Sequence, residues 1–160
     1  MAFADLSNIL WRGREMLELL LFKLEEEQLV LASARTRWLA HATREVELVL
    51  EQIRQVEVLR AAEVEVVAAL LGLPSNPSLS ALAEAAPDPW GKLFGEHRKA
   101  FLTLTAEITA LADANRDLLT SGHRAVRETL LTVGGAVETY GPRGGTVTAG
   151  VRPRLVDEAM

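Results

Sequence analysis

Apolar residues recur at three- and four-residue steps along most of this chain, in three long stretches. In the first, from about residue 6 to residue 31, Leu6, Leu10, Leu17, Leu20, Leu24 and Leu31 form one stripe of a helix. Asp5 or Ser7 is placed to accept the free N–H groups of its first turn. Gly13 and Glu27 interrupt the stripe. A glycine costs roughly 1 kcal/mol against alanine in a helix interior, so Gly13 suggests a close helix crossing. The second stretch, from about residue 37 to residue 71, places Leu39, Val46, Val49, Leu50, Ile53, Val56, Leu59, Val66 and Leu70 on its apolar face. Glu47, Glu51, Arg54 and Arg60 fill the outer side. No proline or glycine separates the two stretches. One continuous helix of about 65 residues would leave its stripe bare, so a tight turn near Ala32–Thr36 is expected.

Gly72 and Pro74 stop the second helix. The loop GLPSNPSLS follows, and Pro77-Ser78 opens a short helix over residues 79–86 that Pro87 and Pro89 end. The third long stretch covers residues 90–133, with Trp90, Phe94, Phe101, Leu104, Ile108, Leu111, Leu118, Ala125 and Val133 near one face. Asn115 falls on that stripe, where an asparagine sets the register of packed helices. Gly134-Gly135 are expected to stop the helix. The pattern predicts an all-α fold: an extended antiparallel hairpin or bundle of three long helices plus one short one. The helical domain takes residues 5–134. Residues 135–160 lack an apolar period and read as a flexible arm, with one local cluster at Val137, Tyr140 and Val147.

Composition narrows the function more than the fold. Hydrophobic residues make up 49% of the 160, but aromatics only 5%, so the apolar mass is leucine, valine and alanine, as in helical hairpins. The net charge of −5 argues against nucleic acid, which needs a basic footprint. The absence of cysteine excludes disulfides and thiolate metal sites. The run Leu19–Phe22, ended by Lys23, is far short of the roughly 20 apolar residues that span a bilayer. The N-terminus lacks the basic and apolar regions of a signal peptide, so a cytoplasmic location without membrane insertion is expected.

Catalytic groups are sparse. The Glu-x-x-His spacing of di-iron bundles and the His-Glu-x-x-His zinc motif do not occur around His41, His97 or His123. His41 and Glu45 share a helix face as a solvated pair, and His97, between Phe94 and Phe101, is expected at a packing seam edge. Gly141–Thr146, GPRGGT, lacks the Lys-Ser/Thr of a phosphate loop and the strand before it. Glu25-Glu26-Glu27 reads as a solvated charge run. Trp11, Trp38 and Trp90 read as packing anchors. No enzyme activity, metal or cofactor is expected. What stands out is apolar excess: Leu118, Leu119, Val126, Leu130, Leu131 and Val133 are apolar on more than one side, and a two-helix partner covers only one stripe. A homodimer, a partner helix or a small local core would each cover it.

The order of these features resembles the FlgN-type flagellar export chaperones over about residues 5–145. LWRGREMLELLLFKLEEEQLVL is similar to the family's leucine-rich first helix, followed by a turn and Arg37-Trp38-Leu39. GLPSNPSLSALAEAAPDPW leads into LTAEITALADANRDLLTSG, with Leu111, Asn115, Leu118 and Leu119, and the ending TYGPRGG is similar to the family's C-terminal signature. The chain runs on past it with TVTAGVRPRLVDEAM, which has no counterpart in the resemblance. The resemblance implies a non-enzymatic cytoplasmic chaperone of type III-like export. Its clients would be the C-terminal helices of the hook–filament junction proteins, the first and third hook-associated proteins, with export-apparatus components as further partners. The client site would comprise Leu118, Leu119, Val126, Leu130, Leu131, Val133, Val137 and Tyr140. The competing reading is a structural coiled coil that oligomerises through the same surface.

Overall fold

The computed structural model describes residues 1–139, with side chains through Ser121 and at Arg124, Glu128 and Leu131. It is all-α, with no strand among the described residues. Helix α1 spans Ala2–Ala32, and a single 3-10 turn, Thr36–Trp38, leads into α2, Leu39–Leu71. Helix α3 is Leu79–Ala85 and α4 is Trp90–Thr139. The chain forms two compact units, Met1–Asn115 and Arg116–Met160, so the boundary falls within α4.

The tight turn forms where the apolar pattern requires it. Ala34 takes a positive φ of 55°, and Ser33 closes α1 by donating from Oγ to the Val30 carbonyl. The first unit then folds α2 back along α1. Near the open end of this hairpin, Leu6 and Leu10 pack with Val64 and Val67. Near the turn, Leu20 and Leu24 pack with Val46 and Val49. α4 runs beside both helices in the direction of α1. Phe94 and Phe101 join the first cluster, and Ile108, Leu111 and Ala112 join the second. Gly13 does mark a crossing: a Cβ there would meet the Phe101 ring at 3.3 Å.

Gly72, at φ 67°, ends α2, and the Leu73 N–H reaches back to the Ala68 carbonyl. Glu65 then ties down the following loop, accepting from Ser75 Oγ at 3.0 Å and from the Asn76 N–H at 2.6 Å. Ser78 caps α3 by accepting from the Ala81 N–H. α3 buries Leu82 and lies so close to α4 that a Cβ on Gly91 would meet the Ala83 and Ala86 carbonyl oxygens at 2.8 and 2.9 Å.

Four expectations from sequence need correction. α1 begins at Ala2 rather than near residue 6, with Met1 before it and no side-chain cap, so neither Asp5 nor Ser7 closes its first turn. α2 has two apolar sides, not one face. Val64, Val67 and Ala68 enter the core, while Leu59, Val66 and Leu70 are exposed. α4 does not stop at Gly134-Gly135 but continues to Thr139, because two glycines weaken a helix without ending it unless the backbone turns left-handed. Of the arm expected at 135–160, residues 135–139 are therefore helical, and residues 140–160, with Tyr140 and Val147, lie outside the described residues. Glu27 is not part of a solvated run but is 7% exposed. Its carboxylate accepts from Thr43 Oγ1 on α2 and from Asn115 Nδ2 on α4, both at 3.1 Å. Asn115 Nδ2 also donates to the Leu24 carbonyl at 2.9 Å.

A buried carboxylate is tolerated only while such donors remain. Asn115→Leu is expected to cost about 2–3 kcal/mol in urea unfolding, because it strips one donor from a buried charge. The Glu27→Leu/Asn115→Leu double variant should cost less than the two single variants added together.

Candidate functional site

His97 is fully buried rather than at a seam edge. Arg14 Nη1 lies 3.4 Å from its Nδ1, and Ser7 Oγ lies 3.4 Å from its Nε2. Arginine only donates, so Nδ1 accepts and the proton sits on Nε2, which donates to Ser7. The Trp11 ring meets the imidazole edge-on, and the Arg14 guanidinium stacks 4.1 Å over Trp11. Burial, and then the Arg14 charge, pull the His97 pKa down to about 4, with Glu96 opposing. A neutral, enclosed imidazole with both nitrogens engaged is a packing group.

The His41 and Glu45 pair is also redirected. Glu45 binds Lys23 Nζ at 3.1 Å, and Lys23 also reaches Glu26 at 3.2 Å. The bond to Lys23 holds the Glu45 carboxyl below its usual range, and the bonds to Glu45 and Glu26 hold the Lys23 ammonium above its own. His41 lies against Trp38. Among the described residues no group of three or more His, Asp or Glu side chains is placed to hold a metal ion.

The apolar positions singled out near the end of α4 fall into a definite pattern. At 3.6 residues per turn, positions 119, 126, 130, 133 and 137 lie within an arc of about 60°. Within the second unit these positions form one apolar face of α4. Leu119, on that face, is half-buried, and Leu118, about 100° to one side, is 40% exposed. Leu131 does not join the stripe. It is half exposed on the side that carries Asp117, Thr120 and Arg124, all exposed. Val126, Leu130, Val133 and Val137 are placed by the helix backbone alone, and Tyr140 lies outside the described residues.

Two features were missed in the sequence. Glu27 lies three residues after Leu24 and four before Leu31, so its place on the stripe was a signal of burial. The exposed apolar side of α2 was hidden because its valines and leucines were assigned to one face.

Stability should depend on pH through His97. Its folded pKa lies near 4, below the ordinary 6.5. Between those values the unfolded chain takes up a proton that the fold refuses, so stability falls as pH falls. Urea unfolding at pH 5 should show about 2 kcal/mol less stability from this group than at pH 7. His97→Gln should flatten that difference, whatever its effect on stability at pH 7.

No curated protein and no solved structure matches the chain. No helix among the described residues is long and apolar enough to cross a membrane. The family model for FlgN protein matches residues 1–148, which includes the packed three-helix unit, the apolar face on the second half of α4 and the TYGPRGG segment. A match over that much of the length shows the relationship: the chain belongs to the FlgN family of flagellar export chaperones.

Proposed function

We propose that this chain holds the C-terminal helices of the first and third hook-associated proteins in the cytoplasm until they are exported, and that it does so with the second half of α4. The observation that carries this reading is the apolar face of α4. Within the second unit, positions 119, 126, 130, 133 and 137 fall in one arc of the helix. An amphipathic client helix would lie on that face. Leu118 flanks it, Leu131 lies farther round the helix as a separate contact, and Tyr140, which follows Thr139 in sequence, supplies an aromatic anchor of the kind enriched in binding hot spots.

The role is non-enzymatic, and binding rests on burial of apolar area with no cofactor. The family relationship supports a chaperone of flagellar assembly, and the choice of hook-associated clients rests on that relationship together with the helical shape of the stripe. Glycines at 122, 134 and 135 weaken the helix that carries the site. That weakness favours a surface that firms up on binding and releases its client at export, because part of the binding free energy is spent on ordering.

Calorimetric titration of the full chain with the C-terminal helices of the two proteins tests the reading. Wild type should bind, Leu119→Glu/Val126→Glu/Leu130→Glu should lose at least about 100-fold in affinity, and Tyr140→Ala about 10-fold. Binding unchanged by the triple substitution would remove the site from α4. No binding by wild type would instead favour a structural coiled coil, with sedimentation showing a stable oligomer closed through the same face.

A further inference from the structure

α2 carries an exposed side that nothing in the described structure covers. Positions 48, 52, 55, 59, 62, 66 and 69 alternate four- and three-residue steps and are all exposed; Gln52 and Gln55 are polar, and the apolar part of the row is Leu59, Ala62, Val66 and Ala69, with Leu48 apart from it. Leu48, Leu59 and Val66 are each about half exposed, and Val58 and Leu70, at the edges of the stripe, are 71% and 64% exposed. Single exposed leucines are ordinary on protein surfaces, but an aligned row along one helix is not. The 3.5-residue repeat is the spacing that keeps one face against a second helix over a long run. The continuous apolar part, from Val58 to Leu70, is about 18 Å long. Ala62 and Ala69, lying within it, allow close approach.

The charges beside the stripe select its occupant. Glu51 and Glu65 stand on one edge and Glu63 on the other. Arg54 and Arg60, farther round the helix, pair with Glu51 and Glu57. If two copies of the chain packed antiparallel through this side, centred on Val58, Glu51 of each copy would face Glu65 of the other. Parallel pairing would set Glu51 near Val56 and Val58 near Glu63, with no opposite charges. Edge charges of this kind govern partner choice between helices. An anionic membrane surface would be repelled by the same carboxylates.

We infer that the exposed stripe of α2 docks a separate amphipathic helix with aliphatic residues at heptad spacing and lysine or arginine along its edges. This surface is distinct from α4, and the inference stands or falls independently of the client reading. A protein with both surfaces would bind its client and a basic helical partner at the same time.

Two synthetic peptides of three heptads test it against the full chain by fluorescence anisotropy. Both carry leucine at the a and d positions; one has lysine and the other glutamate at e and g. The lysine peptide should bind at least 10-fold tighter than the glutamate peptide. Leu59→Asn/Val66→Asn should abolish that binding while leaving the helical signal and melting curve near wild type. Val58→Asn, at a still more exposed position, gives the same test with less risk to folding. Glu51→Lys/Glu63→Lys should reverse the peptide preference without touching Glu65, which holds the loop. Equal binding of the two peptides, or lysine-peptide binding that survives the asparagine substitutions, would overturn the inference. So would a dimer of the free chain, seen by sedimentation, that Leu59→Asn/Val66→Asn dissolves, because the occupant would then be a second copy.

Discussion

The Glu27 carboxylate accepts from Thr43 on α2 and from Asn115 on α4, while Asn115 also holds the Leu24 carbonyl of α1. Three long helices rich in leucine and valine have many registers of similar apolar burial, since each step of three or four residues brings another aliphatic into line. A buried carboxylate removes that degeneracy. Any slip by a turn leaves a charge in the core without its donors, at a cost larger than that of a mismatched methyl group. The arrangement therefore contributes specificity more than raw stability. Replacing all its members by aliphatics would be less damaging than removing one. The His97 cluster acts in the same way nearer the hairpin's open end, with Arg14, Ser7 and Trp11 enclosing a neutral imidazole.

Within the first unit, Asn115 fixes which side of α4 faces the hairpin. Within the second unit, positions 119, 126, 130, 133 and 137 share one arc of the helix, and that arc is the client surface proposed for this FlgN-family chain.

Much of this was legible before the structure. The all-α class, the turn after Ala32, the Gly72 stop, the Ser78 cap and the Gly13 crossing follow from periodicity and from the backbone preferences of single residues. The register role of Asn115 was visible because a polar residue interrupted an apolar stripe. Its partner was not, because Glu27 sits in a run of three glutamates and local composition outweighed its position on the stripe. The two sides of α2 were merged for a related reason. From Val64 to Ala68 the chain is apolar on both faces, and periodicity alone does not say which valines meet α1. The end of α4 was placed too early because a glycine pair was read as a stop, though glycine typically ends a helix by turning left-handed, as Gly72 does, and neither Gly134 nor Gly135 does so. The candidate site was legible as a set of positions on one helix. The separation of Leu131 from the stripe follows from the 3.6-residue period alone, and was passed over because the apolar residues of this stretch were grouped together.

The central claim is that a client closes the apolar arc of α4 beyond Asn115. Amide hydrogen exchange along α4, with and without the C-terminal helix of a hook-associated protein, tests that claim most directly. The account predicts that the client slows exchange from Leu118 to Thr139 and leaves residues 94–115 as protected as before. Protection gained only within α1, α2 or residues 94–115, with the second half of α4 unchanged, would contradict it.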